Sequence, residues 1–134
     1  MNISQAAYDK VTQSWWLLKL TYGLVFVIAG ADKFFNLITY WPQYLSPMVA
    51  KMLPLTTQQI IWGSALFEIA LGILILTVAT RIGAYVAMLW LLLIAANLVT
   101  FGTYFDIAIR DAVMAIGALV LALLTDAHEE RNAK

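Results

Sequence analysis

Glu68 lies eight residues into an apolar run that begins at Ile60, which puts it roughly 12 Å from the end of a helix rising about 1.5 Å per residue. An ionised carboxylate at that depth is costly, so it must be protonated, paired or in contact with water. A carboxyl in such surroundings is suited to exchanging a proton near neutral pH. Asp32 and Lys33 close an earlier apolar run, and the four-carbon stem of Lys33 lets its ammonium reach headgroups or turn down toward Glu68. In a third run Asn97 falls at nearly the depth of Glu68, and Phe101 and Tyr104 continue its stripe at helical spacing. Asp106, Arg110 and Asp111 open a fourth run. Asp106 and Arg110 stand four apart with the acid first, the better order for an ion pair on one helix.

Other chemistries are excluded by composition. With no cysteine, the chain has no thiolate metal site, iron–sulfur cluster or disulfide exchange. Its one histidine, His128, falls in what reads as a polar C-terminal tail, so bis-histidine ligation of haem or copper within one chain is excluded. Met48 and Met52 lack the histidine or cysteine company a copper site needs, and no metal is expected. Eight basic and eight acidic residues cancel, leaving no basic surface for nucleic acid.

The elements that position these residues are helices in a bilayer. Of 134 residues, 63% are hydrophobic and 12% charged, too apolar for a water-soluble domain. Four stretches, at about 15–35, 60–78, 82–104 and 107–125, are long enough to span the hydrocarbon core. Strict polar–apolar alternation is absent, so a membrane barrel is not expected. The fold class is therefore all-α, a single four-helix transmembrane bundle. The connection at 36–59 holds all three prolines and many aromatics, so it predicts an interfacial loop or short helix folded over the bundle mouth.

Spacing also assigns faces. Lys19, Gly23, Phe26, Gly30 and Lys33 share one side of the first span, and Ser64, Glu68 and Gly72 one stripe of the second. Ala115, Ala118 and Ala122 make a close-packing seam on the fourth. Lys19 reads as a snorkelling anchor, and Trp15, Trp16, Trp62 and Tyr85 as interfacial belts. All four spans thus direct polar groups toward the half of the bundle beside the long loop. Basic residues favour the side bearing the termini, which are expected in the cytoplasm of a bacterial or archaeal cell with the chain in its cytoplasmic membrane. Leu20 to Ile28 followed by Ala29, Gly30 and Ala31 imitates a signal peptide, but the preceding region is polar rather than basic.

Gly23, Leu24, Phe26, Ala29, Gly30 and Lys33 resemble the G-L-x-F-x-x-A-G-x-x-K ending of the first helix in the DoxX-like family of small four-helix membrane proteins. Glu68 and Gly72 are similar to that family's E-x-x-x-G second helix, and Arg110 and Asp111 precede a fourth helix with Gly117, Ala118 and Leu119. The resemblance runs from about Trp15 to Leu124. It implies Lys33, Glu68 and Arg110 as a polar cluster and an association with quinone-linked redox enzymes or with oxidative-stress and metal-handling partners.

The residues and the resemblance together suggest a membrane subunit that binds a quinone or similar amphipathic molecule. Lys33 or Arg110 would donate to a carbonyl, Glu68 would exchange a proton, and Trp41 or Phe101 would flank the ring, with Asn97, Asp106 and Tyr104 completing the pocket. No intrinsic cofactor is expected, so electrons would come from the quinone or a redox partner subunit; a homo-oligomer is the other expected association. The alternatives are a non-catalytic assembly or anchoring subunit and, further off, a proton-coupled transporter.

Overall fold

Ser4 opens the first helix by accepting a hydrogen bond from the Ala7 backbone N–H at 3.2 Å. The cap satisfies a donor that has no partner within the helix. The structure, a computed structural model, describes residues 4–133. Helix α1 (Gln5–Asp32) leads through a 3₁₀ turn (Trp41–Tyr44) to the short α2 (Pro47–Met52), then to α3 (Thr57–Leu76), α4 (Thr80–Phe101) and α5 (Phe105–Asn132). Helices α1, α3, α4 and α5 are each long and apolar enough to cross a membrane. Each packs on two others, α1 and α4 both lying against α3 and α5, so the four close into a ring. This is a multi-pass membrane protein.

Local signals set the helix limits. Thr56 Oγ1 accepts from Gln59 N at 3.1 Å while Gln59 Oε1 accepts from Thr56 N at 3.0 Å, a reciprocal cap that starts α3. Helix α4 stops at Gly102, whose φ of 81° is a left-handed conformation that glycine adopts without strain. Between α3 and α4 the chain reverses tightly, and the Thr80 hydroxyl donates to Ile75 O at 2.8 Å to hold the turn.

Two packing devices close the ring. Where α1 meets α3, a Cβ on Gly30 would lie 2.8 Å from Ala65 O, and one on Gly72 would lie 2.6 Å from Gly23 O. Only glycine permits backbones this close. Where α4 meets α5, Ala84, Ala87, Ala115, Ala118 and Ala122 are buried and fill the seam. The faces assigned from spacing are those buried here: Lys19, Gly23, Phe26, Gly30 and Lys33 on α1, and Glu68 and Gly72 on α3.

The helices depart from the sequence expectation at the end where the termini lie. Helix α1 begins about three turns before residue 15, and α5 runs to Asn132 rather than stopping near 125. A 28-residue helix is about 42 Å long, well beyond a hydrocarbon core of about 30 Å. The extra turns are polar and so carry no apolar signal, yet the backbone bonds propagate regardless of what surrounds them. Contacts between the extensions hold them. Arg131 lies 3.9 Å from the Tyr8 ring centre and donates to Gln5 at 2.8 Å, while Arg81 pairs with Asp126 and Glu129. His128 is accordingly part of α5 rather than a tail, stacked 3.9 Å from Trp15. Lys19 is not a snorkelling anchor: it is buried over the Trp15 ring and donates to Thr77 O at 3.3 Å, at the electronegative C-terminus of α3.

Replacing Gly72 with alanine forces a methyl into the backbone of α1 and is expected to destabilise the fold by about 1–3 kcal/mol. Gly63→Ala, whose Cβ meets nothing within 4 Å, should stay within about 1 kcal/mol of the parent. Thermal unfolding in detergent micelles measures both.

Candidate functional site

Lys33 caps the C-terminus of α1 and Glu68 lies one to two turns deeper on the antiparallel α3. Side chains on a helix tilt toward its N-terminus. From the two helices that tilt is convergent, Lys33 pointing into the bundle and Glu68 toward the loop end. With the backbones drawn together at Gly30, Lys33 Nζ comes 2.6 Å from Glu68 Oε1. Only 7% of Lys33 and 3% of Glu68 is exposed, so this is a desolvated ion pair and not a surface contact.

Aromatic rings enclose the pair. Trp90 of α4 donates its indole N–H to the same Glu68 oxygen at 2.9 Å. Two donors therefore converge on Oε1, while Oε2 accepts no bond among the described residues. Trp41 lies over the ammonium, its ring centre 5.1 Å from Lys33 Nζ. That ring is fixed from behind, because Trp41 Nε1 donates to Asp32 Oδ2 at 2.8 Å. The Asp32 carboxylate also accepts from Leu37 N and Ile38 N and so shapes the turn that leaves α1. From α5, half-buried Asp111 stands on the inward phase of Ala108 and Ala115.

A recess of about 330 Å³ lies on α3 beside the 53–55 stretch, with Trp90 its one lining residue from α4 and neither Lys33 nor Glu68 in its wall. Phe67 and Trp90, with ring centres 4.6 Å apart, form one wall, and Ser64, Ile60, Leu53 and Leu55 form much of the rest. The recess is almost wholly apolar. Trp90 thus has its indole N–H on the Glu68 carboxylate and its ring beside Phe67 in the wall of the recess.

The remaining candidate residues do not join this site. Asn97 takes hold of the long loop: its Oδ1 accepts from Ser46 N at 2.9 Å and its Nδ2 donates to Tyr44 O at 2.8 Å. Thr100 donates to Ser46 Oγ at 3.0 Å, and Ser46 is fully buried. The loop is therefore clipped over the bundle mouth. Tyr104 packs its ring 4.8 Å from Tyr44 and 5.4 Å from Phe101, an aromatic layer that supports the clip. Asp106 and Arg110 are exposed, and the expected ion pair between them does not form; among the described residues the paired groups are Lys33 with Glu68 and Arg81 with Asp126 and Glu129. One pocket surrounded by Lys33, Glu68, Asn97 and Arg110 is thus replaced by a buried pair, a loop clip and an outward-facing pair of charges.

Nothing in its spacing along the chain marks Trp90 as part of a site. Its signal is weak: five tryptophans occur in the chain, and only the packing of α4 on α3 distinguishes this one. In the sequence Asp32 is marked only by standing next to Lys33. Its three acceptor contacts follow from a turn that spacing does not specify.

Residues 14–102 match the DoxX family, and the chain belongs to it. No curated protein and no solved structure matches. The matched stretch contains Lys33, Trp41, Glu68, Trp90 and Asn97, whereas Asp106, Arg110 and Asp111 lie beyond it.

Glu68→Leu leaves a buried ammonium without its strongest counter-charge and is expected to cost about 3–5 kcal/mol of stability. The double variant Lys33→Met with Glu68→Leu should recover most of that loss, since an apolar pair of similar volume carries no desolvation penalty. Denaturant titration of both variants in mixed micelles reads the difference. Asn97→Ala should leave the bundle folded but expose the 36–55 loop, seen as faster proteolysis there than in the parent.

Proposed function

We propose that this DoxX-family membrane protein binds a quinone or a similarly amphipathic ring compound in the recess formed by α3, the 53–55 stretch and Trp90, and that Glu68 exchanges protons with it in support of a membrane redox process. The observation that carries this reading is Trp90, which both lines the recess and hydrogen-bonds the buried Glu68 carboxylate. A ring compound stacked against Trp90 and Phe67 would leave its tail among acyl chains and set a carbonyl near the Lys33–Glu68 pair. Reducing a quinone to the quinol takes two electrons and two protons. Electrons would come from a partner subunit and protons from water at the membrane surface, Glu68 taking up each proton, passing it to the quinone and returning to the carboxylate that Lys33 pairs.

Trp41 acts in this proposal through Lys33, which it covers. Asn97, Tyr104 and Phe101 act by keeping the loop closed above the recess. Asp106 and Arg110 have no part in ligand contact. The proposed setting is a prokaryotic cytoplasmic membrane with the termini inside.

A second reading is favoured by the tightness of the pair itself. Lys33 and Glu68 are so fully buried that they would also serve as a clasp between α1 and α3 with no ligand involved. Titration separates the two. In the protein reconstituted into lipid nanodiscs, a short-tailed benzoquinone should quench tryptophan fluorescence saturably. Glu68→Gln and Trp90→Phe should each weaken that binding about ten-fold or more while the helical content is retained. If both variants bind like the parent, or if the parent shows no saturable binding, only the clasp remains.

A further inference from the structure

Two lysines of α1 are equally buried, each 7% exposed, and only one of them has a counter-charge. Lys33 has Glu68. Lys19 makes one hydrogen bond, at 3.3 Å to Thr77 O, and its Nζ lies 4.5 Å from the Trp15 ring centre and 5.1 Å from that of Trp16. The last carbonyls of α3 and the two ring faces offset part of the charge, but none carries a full negative charge. No carboxylate among the described residues makes up the rest. Asp32, Glu68, Asp106 and Asp111 belong to the loop end, and Asp126 and Glu129 are held by Arg81. Asp9 stands ten residues earlier on α1, about 15 Å away. Glu130 comes two residues after His128, on the side of α5 turned away from Trp15. An ammonium has three N–H donors, so two of those on Lys19 have no acceptor among the described residues.

The depth of Lys19 says what can supply the missing charge. Helix α3 has 20 residues and is about 30 Å long, the thickness of the hydrocarbon core. Thr77 at its end, and the Lys19 ammonium bonded to it, therefore lie at the boundary with the headgroups rather than beneath it. The bilayer offers an anion at that level, the phosphate of a lipid, and none deeper. A second donor stands beside the first. The indole N–H groups of Trp15, Trp41 and Trp90 are all taken up within the protein, whereas that of Trp16, which is half exposed, donates to nothing among the described residues. From Trp16 toward the bilayer centre, Leu20, Leu24 and Ile28 are exposed at successive steps of four, a lane for an acyl chain directly below the headgroup.

We propose that Lys19 and Trp16, at the end of α3, bind the phosphate of an anionic phospholipid in the leaflet on the side of the termini. The site is at the opposite end of the bundle from Glu68 and does not rest on ligand binding there. The test uses the full chain, freed of lipid in neutral detergent micelles, with thermal unfolding and native mass spectrometry as readouts. Dioctanoyl phosphatidylglycerol should raise the melting temperature saturably and bind about ten-fold more tightly than dioctanoyl phosphatidylcholine, whose choline already neutralises its phosphate. Lys19→Met should remove that preference while the lipid-free protein melts no lower than the parent, and Lys19→Arg should keep it. Trp16→Phe, at a half-exposed position that does not threaten folding, should weaken phosphatidylglycerol binding several-fold. Inorganic phosphate carries the same anion without an acyl chain and should not displace the lipid at millimolar concentration. Equal affinity of the parent for the two lipids, or phosphatidylglycerol binding indifferent to both Lys19→Met and Trp16→Phe, would overturn the site. Displacement by inorganic phosphate at concentrations matching the lipid would overturn the lipid as its ligand.

Discussion

Hydrocarbon supplies neither water nor hydrogen-bond donors, so a charge held beneath a bilayer surface must find its counter-charge inside the protein. Lys33 and Glu68 meet that requirement through one contact of 2.6 Å between the first two long helices. Much of the loop-end architecture follows from it. Helices α1 and α3 have to run antiparallel and close together, which Gly30 and Gly72 permit. The carboxylate needs further donors, and Trp90 brings α4 to it. The ammonium needs cover, and Trp41 supplies it while anchored on Asp32.

The long loop belongs to the same construction. It carries Trp41 into place, and it stays there because Asn97 satisfies two backbone groups of the loop at once. A buried backbone N–H or carbonyl without a partner costs free energy comparable to a lost hydrogen bond. One asparagine on α4 therefore has leverage over a segment of some twenty residues. The opposite end of the bundle is managed differently. There the helices outrun the hydrocarbon, and exposed ion pairs such as Arg81 with Asp126 and Glu129 suffice, each contributing little in water. Among the described residues the desolvated ion pair lies at the loop end, while buried Lys19 at the other end is held by the Trp15 ring and Thr77 O.

That division separates the helices by role. Helices α3 and α4 and the part of α1 from residue 14, which match the DoxX family, provide the ion pair, its indole donor and most of the recess. Helix α5 closes the ring with buried alanines. Its other face is free to meet what surrounds the protein.

The sequence by itself determined the number of spans, the loop between the first two, and the inward faces. Those properties are periodic: four long apolar runs, glycines and lysines at helical steps on α1, and alanines on α5 report burial through spacing alone. It also singled out Glu68, because a carboxylate deep in an apolar run is conspicuous whatever surrounds it. Which partners each polar group takes was decided only in three dimensions. Lys33 had two equally reachable destinations until the α1–α3 approach fixed one. Asn97 matched Glu68 in depth, yet depth carries no azimuth, and helix rotation turned it to the loop. Asp106 and Arg110 had the spacing of an ion pair without forming one. Periodicity along a chain specifies which side of a helix is buried, whereas partner choice depends on the rotation and separation of neighbouring helices, set by close packing between residues far apart in sequence.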